Sequence, residues 1–191
     1  MLQAFHDNFI APMLIISPVV LAGLAFIFIL KHGYFSWLKK PMDQGWQLGG
    51  KRILGDNKTW LGPITMCLGS LVFGTLWVTS GLSCTSATPY LCRGWQIVLT
   101  FGILGLAYSL GELPNSFLKR KLGIAPGEKA NNTMHRAIFR ILDIGDSVIA
   151  VALAAKILLP ISVETTIYII VAGYIVHITT DLLMVSLGLK K

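Results

Sequence analysis

The sequence predicts an all-α integral membrane protein with five transmembrane helices, the N-terminus out and the C-terminus in, and two long basic cytoplasmic loops. Three observations lead there. Of the 191 residues 54% are hydrophobic and only 13% are charged, with a mean hydropathy of +0.68, too apolar for an ordinary soluble domain. Five stretches approach the roughly 20 apolar residues that cross a bilayer. The cations, finally, gather in alternate connections, as the positive-inside rule requires of an odd number of spans.

In order, the first span covers about residues 10–30. It has no basic segment before it and no small-residue cleavage site after it, so it reads as a retained helix and not as a signal peptide. The second covers about 62–81, where Gly69 and Gly74 permit close helix approach, and the third about 95–113. The fourth, about 138–159, is the weakest, carrying Asp143 and Asp146 near its start and Lys156 near its end. The fifth covers about 166–187. Little chain is left for a separate soluble domain, so residues 1–191 read as one membrane domain with cytoplasmic loops at 31–61 and 114–137.

The connections carry the topology. Lys31, Lys39, Lys40, Lys51, Arg52 and Lys58 belong to the first loop; Lys119, Arg120, Lys121, Lys129, Arg136 and Arg140 lie in or beside the third; Lys190 and Lys191 end the chain. Only Arg93 and Lys156 stand apart. The formal charge of +7 thus speaks for topology and for anionic lipid or phosphate, with no nucleic acid polymer as partner. Cys84 and Cys92 flank a short outward connection, which leaves either a disulfide or two free thiols. Cys67, inside the second span, reads as a small buried apolar residue.

Asp143 and Asp146 are three residues apart and share one face of a helix, near the cytoplasmic end of a span. A carboxylate there costs about 2.5–3.5 kcal/mol to insert and needs a partner. Hard oxygen ligands so spaced suit Mg²⁺, which is held by one or two carboxylates plus substrate phosphates; an ion pair with Arg136, Arg140 or another helix is the alternative on these residues alone. Glu112 reads as a solvated helix end, and Asp181 either completes the site or caps a buried hydrogen-bond network with Thr179 and Thr180, the second reading standing ahead. Lys119, Arg120 and Lys121 follow the third span, where snorkelling cations meet lipid headgroups. On the same face the stretch "GDNKTWLG" sets Lys58 among glycines, although the glycine spacing is not that of a Walker A loop. Cations, glycine-rich turns and a dicarboxylate are the parts of phosphoryl or nucleotidyl transfer. His6, His32, His135 and His177 show no metal-ligand spacing. A small ion-coupled transporter, or a non-catalytic scaffold with intramembrane acids, remains the alternative.

The segments "KPMDQGWQLGGKRILGDNKTWLG", "PNSFLKRKLGI" and "LDIGDS" resemble the CDP-archaeol synthase family, relatives of the CDP-diacylglycerol synthases, over most of the chain from about Pro41 onward. A K-[ST]-x-x-G element matches Lys58, Thr59 and Gly62, an S-x-x-K-R element Ser116, Lys119 and Arg120, and a D-x-x-D pair Asp143 and Asp146. The resemblance implies a Mg²⁺-dependent transfer of a cytidylyl group from CTP to a phosphatidic-acid-like lipid, giving CDP-lipid and pyrophosphate. It implies further that Asp143 and Asp146 hold the metal and that Lys58, Lys119 and Arg120 are catalytic cations on phosphates. Asp56, Asn57, Thr59, Gly62, Asn115 and Ser116 would bind substrate, with Asp56 orienting Lys58 rather than binding metal. The expected location is the cell (inner) membrane, multi-pass, with the site on the cytoplasmic side. The chain departs from the family's usual pattern at Leu61, where Arg is frequent, at Gly111-Glu112, where Gly-Asp is frequent, and at "DIGD", where "DQLD" is usual.

Overall fold

A computed structural model of the chain describes residues 2–86, 88–92, 94–126, 128 and 132–188. Arg93, Lys129, Lys190 and Lys191, which enter the charge pattern above, lie outside them. The described residues form five long helices: α1 (Leu2–His32), α2 (Leu61–Thr79), α3 (Trp95–Lys121), α4 (Thr133–Leu158) and α5 (Val163–Ser186). The only strands among the described residues are β1 (Gln47–Leu48) and β2 (Lys51–Arg52), an antiparallel pair pairing Gln47 with Arg52 and Leu48 with Lys51. Gly49 and Gly50 make its turn with φ of 64° and 72°, the left-handed pair that a two-residue hairpin of this twist demands.

Four helices, α1 from Phe9, α2, α3 and α5, are long and apolar enough to cross a bilayer. Helix α4 is long enough, but Arg136, Arg140 and Asp143 fall in its first half and Asp146 at its middle, so it does not reach the same hydropathy. Each helix packs on the next in sequence and α5 returns to α1, which closes the bundle. Its interior is apolar: Ile15, Met66, Phe101, Leu104, Ala152 and Ile169 are buried. So is much of its outside, where Leu68, Leu76, Leu153, Ile157 and Ile175 are exposed. A protein whose apolar side chains line both core and exterior is built to be solvated by lipid.

The helices are longer than the apolar stretches. Helix α3 runs on through Pro114 to Lys121, and α4 begins at Thr133, so helix takes up both ends of the connection expected as a 114–137 loop. Pro114 removes one N–H from the helix and reads as a stop. Beyond it, however, Asn115, Ser116 and Arg120 are buried, and packing carries the helix past the proline. Asn132 caps α4, accepting from the Met134 N–H at 2.8 Å, and Ser162 caps α5, accepting from Thr165 at 3.0 Å.

Cys84 and Cys92 form a disulfide, which decides between the two readings of that pair. Cys67 is free and only half-buried.

Candidate active site

The connection between α1 and α2 is organised around one carboxylate. Asp43 is buried and accepts from Arg52 Nε at 3.2 Å and Nη2 at 2.6 Å. It also accepts the backbone N–H groups of Leu54 and Gly55, both at 3.0 Å, and of Gly45 at 3.2 Å. The Arg52 guanidinium, helped by those N–H donors, holds this carboxyl well below the usual carboxylate range against the opposing effect of burial. Arg52 in turn reaches Asp56 at 2.9 Å. Asp56 is therefore a partner of Arg52 and is not the residue that orients Lys58.

Two further ties dock this loop on the end of α3. Lys51 Nζ donates to the Lys121 carbonyl and Lys121 Nζ donates to the Leu48 carbonyl, each at 2.7 Å, where cations meet helix C-terminal carbonyls favourably. At Gly55 a Cβ would lie 2.9 Å from Pro126 Cγ, so the loop passes that proline too closely for a side chain. Pro41 bridges Thr59, with Met42 N donating to the Lys58 carbonyl at 2.8 Å and Trp60 N to that of Lys40 at 3.2 Å. This clamp presents Lys58 at the head of α2. Beside it lies a cavity of about 580 Å³ lined by Lys40, Pro41, Gln44, Gly45, Arg52, Asp56 and Trp60.

From Lys58 a polar network runs across α3 and α4. The Lys58 ammonium pairs with Glu112 Oε2, and Glu112 Oε1 accepts from Ser147 Oγ at 3.3 Å. The Ser147 N–H donates to Asp146 Oδ1 at 2.7 Å. Asn115 Nδ2 then joins the acids, donating to Asp146 Oδ2 at 3.1 Å and to Asp143 Oδ1 at 2.7 Å. Lys119 Nζ closes the chain on both Asp143 oxygens, at 2.5 and 2.6 Å, and lies 5.5 Å from the centre of the Phe139 ring. Glu112, Asn115 and Lys119 are three, four and seven apart, one face of α3, opposed by Asp143, Asp146 and Ser147 on one face of α4.

Of the residues singled out in the sequence, Lys58, Asn115, Lys119, Asp143 and Asp146 come together. Ser116 and Arg120 are buried on α3, and Nε and Nη1 of Arg120 make no hydrogen bond. Asn57 lies on the turn before Lys58. Thr59 serves the Pro41 bridge, and Gly62 brings α2 against α3, where a Cβ would stand 3.1 Å from Ser109 Oγ. Asp143 pairs with Lys119, not with Arg136 or Arg140. The expectation of a solvated Glu112 is overturned, since it links Lys58 to Ser147. Thr179 and Thr180 turn their hydroxyls to their own helix, donating to the Val176 and His177 carbonyls at 2.8 and 2.9 Å. Glu112 could have been found by its place one turn before Asn115 on α3; Ser147 gave no signal.

Among the described residues no group of three or more His, Cys, Asp or Glu gathers as a metal cage. What the site offers a hard cation is two carboxylates sharing one amide. Asn115 Oδ1, buried without a hydrogen-bond partner, is a further oxygen donor beside them. That set fits Mg²⁺, which completes its shell with phosphate and water oxygens, and would not suit a metal needing an all-protein cage.

A family model described as CarS-like, CDP-archaeol synthase, matches residues 9–191. The chain is similar to the CDP-archaeol synthase of Thermofilum pendens, 30% identical over 185 residues, 96% of this chain and 80% of that one. It is 26% identical to that of Halobacterium salinarum over 79% of this chain and 81% of the relative. With that of Pyrococcus furiosus the identity is 33% over 60% and 56% of the two chains. No solved structure matches significantly.

Proposed function

The chain belongs to the CDP-archaeol synthase family, and from that premise we propose how its residues transfer a cytidylyl group from CTP to a phosphatidic-acid-like membrane lipid. A lipid phosphate oxygen attacks the α-phosphorus of CTP in line; the new P–O bond forms as the α–β bridge breaks and pyrophosphate leaves. Little covalent chemistry is asked of the protein, so positioning and charge neutralisation carry the rate.

The observation that carries this assignment is the continuous network from Lys58 to Lys119, with the acids at its centre. Asp143 and Asp146 would hold Mg²⁺, with Asn115 setting their orientation. Bound there, the ion would supply charge neutralisation on the phosphate oxygens. Lys58 and Lys119, both held by carboxylates in this state, and Arg120, whose Nε and Nη1 await acceptors, take phosphates of CTP and lipid. Ser116, Asn57, Thr59 and Gly62 would offer neutral contacts to substrate, with Asp56 bracing Arg52.

On this reading α4 spans the membrane with the other four helices, its charged first half satisfied by α3 and its apolar second half facing lipid. The N-terminus is out, the C-terminus in, and the site lies on the cytoplasmic side of the cell membrane, where CTP is available. The lipid tails enter from the bilayer, which explains a phosphate site at the helix ends. The transporter and scaffold alternatives find no support among the relatives.

Incubating purified protein with radiolabelled CTP and Mg²⁺, with unsaturated archaetidic acid or with diacyl phosphatidic acid, tests the assignment. Labelled CDP-lipid is expected from one of them, and Asp143→Asn is expected to lose it by at least about 10²-fold. Full activity in Asp143→Asn, or no product from folded wild-type protein with either lipid, refutes it.

A further inference from the structure

The acid-bearing turn of α4 is gripped from two sides by contacts that touch neither acid side chain. On one side Gly111 of α3 lies so close that a Cβ there would stand 2.6 Å from Ala150 Cβ and 2.9 Å from the Asp146 carbonyl oxygen. On the other side, Gly145, between the two acids, faces α5. A Cβ on it would fall on the Tyr174 hydroxyl, with the ring carbon Cζ at 3.0 Å. One residue earlier on α5 the relation reverses: a Cβ on Gly173 would stand 2.7 Å from Val148 Cγ1. Tyr174 thus enters a notch in α4 and Val148 a notch in α5, three residues apart on one helix and adjacent on the other. Such reciprocal seating fixes both the rotation and the register of two helices, because packed interiors do not deform continuously.

We propose that Tyr174 is a positioning residue for the transfer reaction: the end of its phenol, seated in the Gly145 notch, holds α4 at the rotation that turns Asp143 and Asp146 toward Asn115 and Lys119 of α3. Rotating a helix by one residue swings a side chain by about 100°, so small slips at the notch become large displacements at the acids. The fit is one of bulk against a bare backbone: the hydroxyl oxygen is the Tyr174 atom nearest Gly145 and the ring carbon Cζ the next, and Cζ stays against the notch when the hydroxyl is removed. Tyr174 touches none of the groups assigned to CTP, lipid phosphate or metal, and acts through the two acids. The inference rests on the assignment of those acids given above.

Its test uses the full-length protein in detergent, with Mn²⁺ binding followed by its paramagnetic resonance signal, kcat and the KM for CTP, and the melting temperature. Tyr174→Phe keeps the ring and is expected to bind Mn²⁺ and turn over as the wild type does. Tyr174→Ala is expected to melt cooperatively yet weaken Mn²⁺ binding about tenfold or more, with kcat falling in parallel and the KM for CTP little changed. Gly145→Leu should show the same loss, and Gly145→Leu with Tyr174→Ala, which moves the bulk from one helix to the other, should recover a good part of it. If Tyr174→Ala lowers only the melting temperature and leaves Mn²⁺ affinity untouched, the residue is mere packing and the proposal fails. A loss in Tyr174→Phe as deep as in Tyr174→Ala would make the hydroxyl the active element and also overturn it. Asp143→Asn separates the two levels: if that variant binds Mn²⁺ and reacts normally, the acid assignment itself falls and takes the Tyr174 role with it.

Discussion

Asp43 is the residue on which the first loop turns, and its chemistry gives a pH dependence with a definite sign. Its carboxyl is held below its unfolded value, near about 4 for a free aspartate. The contribution is therefore present above pH about 4 and is lost as the pH falls through the lower value of the folded protein. Hydrogen-exchange protection of the Leu54 and Gly55 amides, which donate to Asp43, should persist from pH 8 down to about 4 and collapse only below that. Asp43→Asn should lack it throughout, and a collapse already between pH 7 and 5 would sink this account. None of this was legible in the sequence, where Asp43 and Arg52 are nine residues apart with no helical face in common. Glu112 was misjudged for a related reason. One acid at a helix end looks solvated until a lysine 54 residues away is brought against it. Asp143 and Asp146, by contrast, were readable because a carboxylate in an apolar stretch is costly and two at helical spacing point one way.

Helices were legible to the degree that their apolar run was unbroken. Spans α1, α2, α3 and α5 could be placed from length and hydropathy alone, whereas the true ends of α3 and α4 could not, because polar turns there are held by contacts between helices. The β1–β2 hairpin, two residues a strand, falls below any periodicity signal. Close contacts between helices are equally silent, since a glycine in an apolar run looks like any other. Gly105 of α3 is one: a Cβ there would run into the Met66 carbonyl and stand 2.8 Å from Ser70 Cβ, both on α2. Gly105→Leu should therefore push α2 from α3 and destabilise the fold by about 1–3 kcal/mol, seen as a lower melting temperature in detergent. An unchanged melting temperature would mean that the two helices do not meet there.

Across the whole molecule, the site and the disulfide occupy opposite ends of the same helix pair. Helix α2 leads away from Lys58 for 19 residues, about 28 Å at helical rise, before the chain reaches Cys84, and α3 returns from beyond Cys92 to Glu112. Replacing both cysteines by serine should leave kcat unchanged while lowering stability by about 2.5 kcal/mol, the closure entropy of so short a loop. A large fall in kcat would show the two ends to be coupled. The bonds from Lys51 to the Lys121 carbonyl and from Lys121 to the Leu48 carbonyl, across 70 and 73 residues of chain, set a schedule for biogenesis. At about 5–20 residues per second of synthesis, the hairpin waits roughly 4–14 s for the end of α3, and the two acids of α4 are made later still. On the proposed assignment, a nascent chain halted before α4 would carry the docked loop of Lys58 without the two acids, and the transfer would wait on the ribosome until the fourth helix is in place.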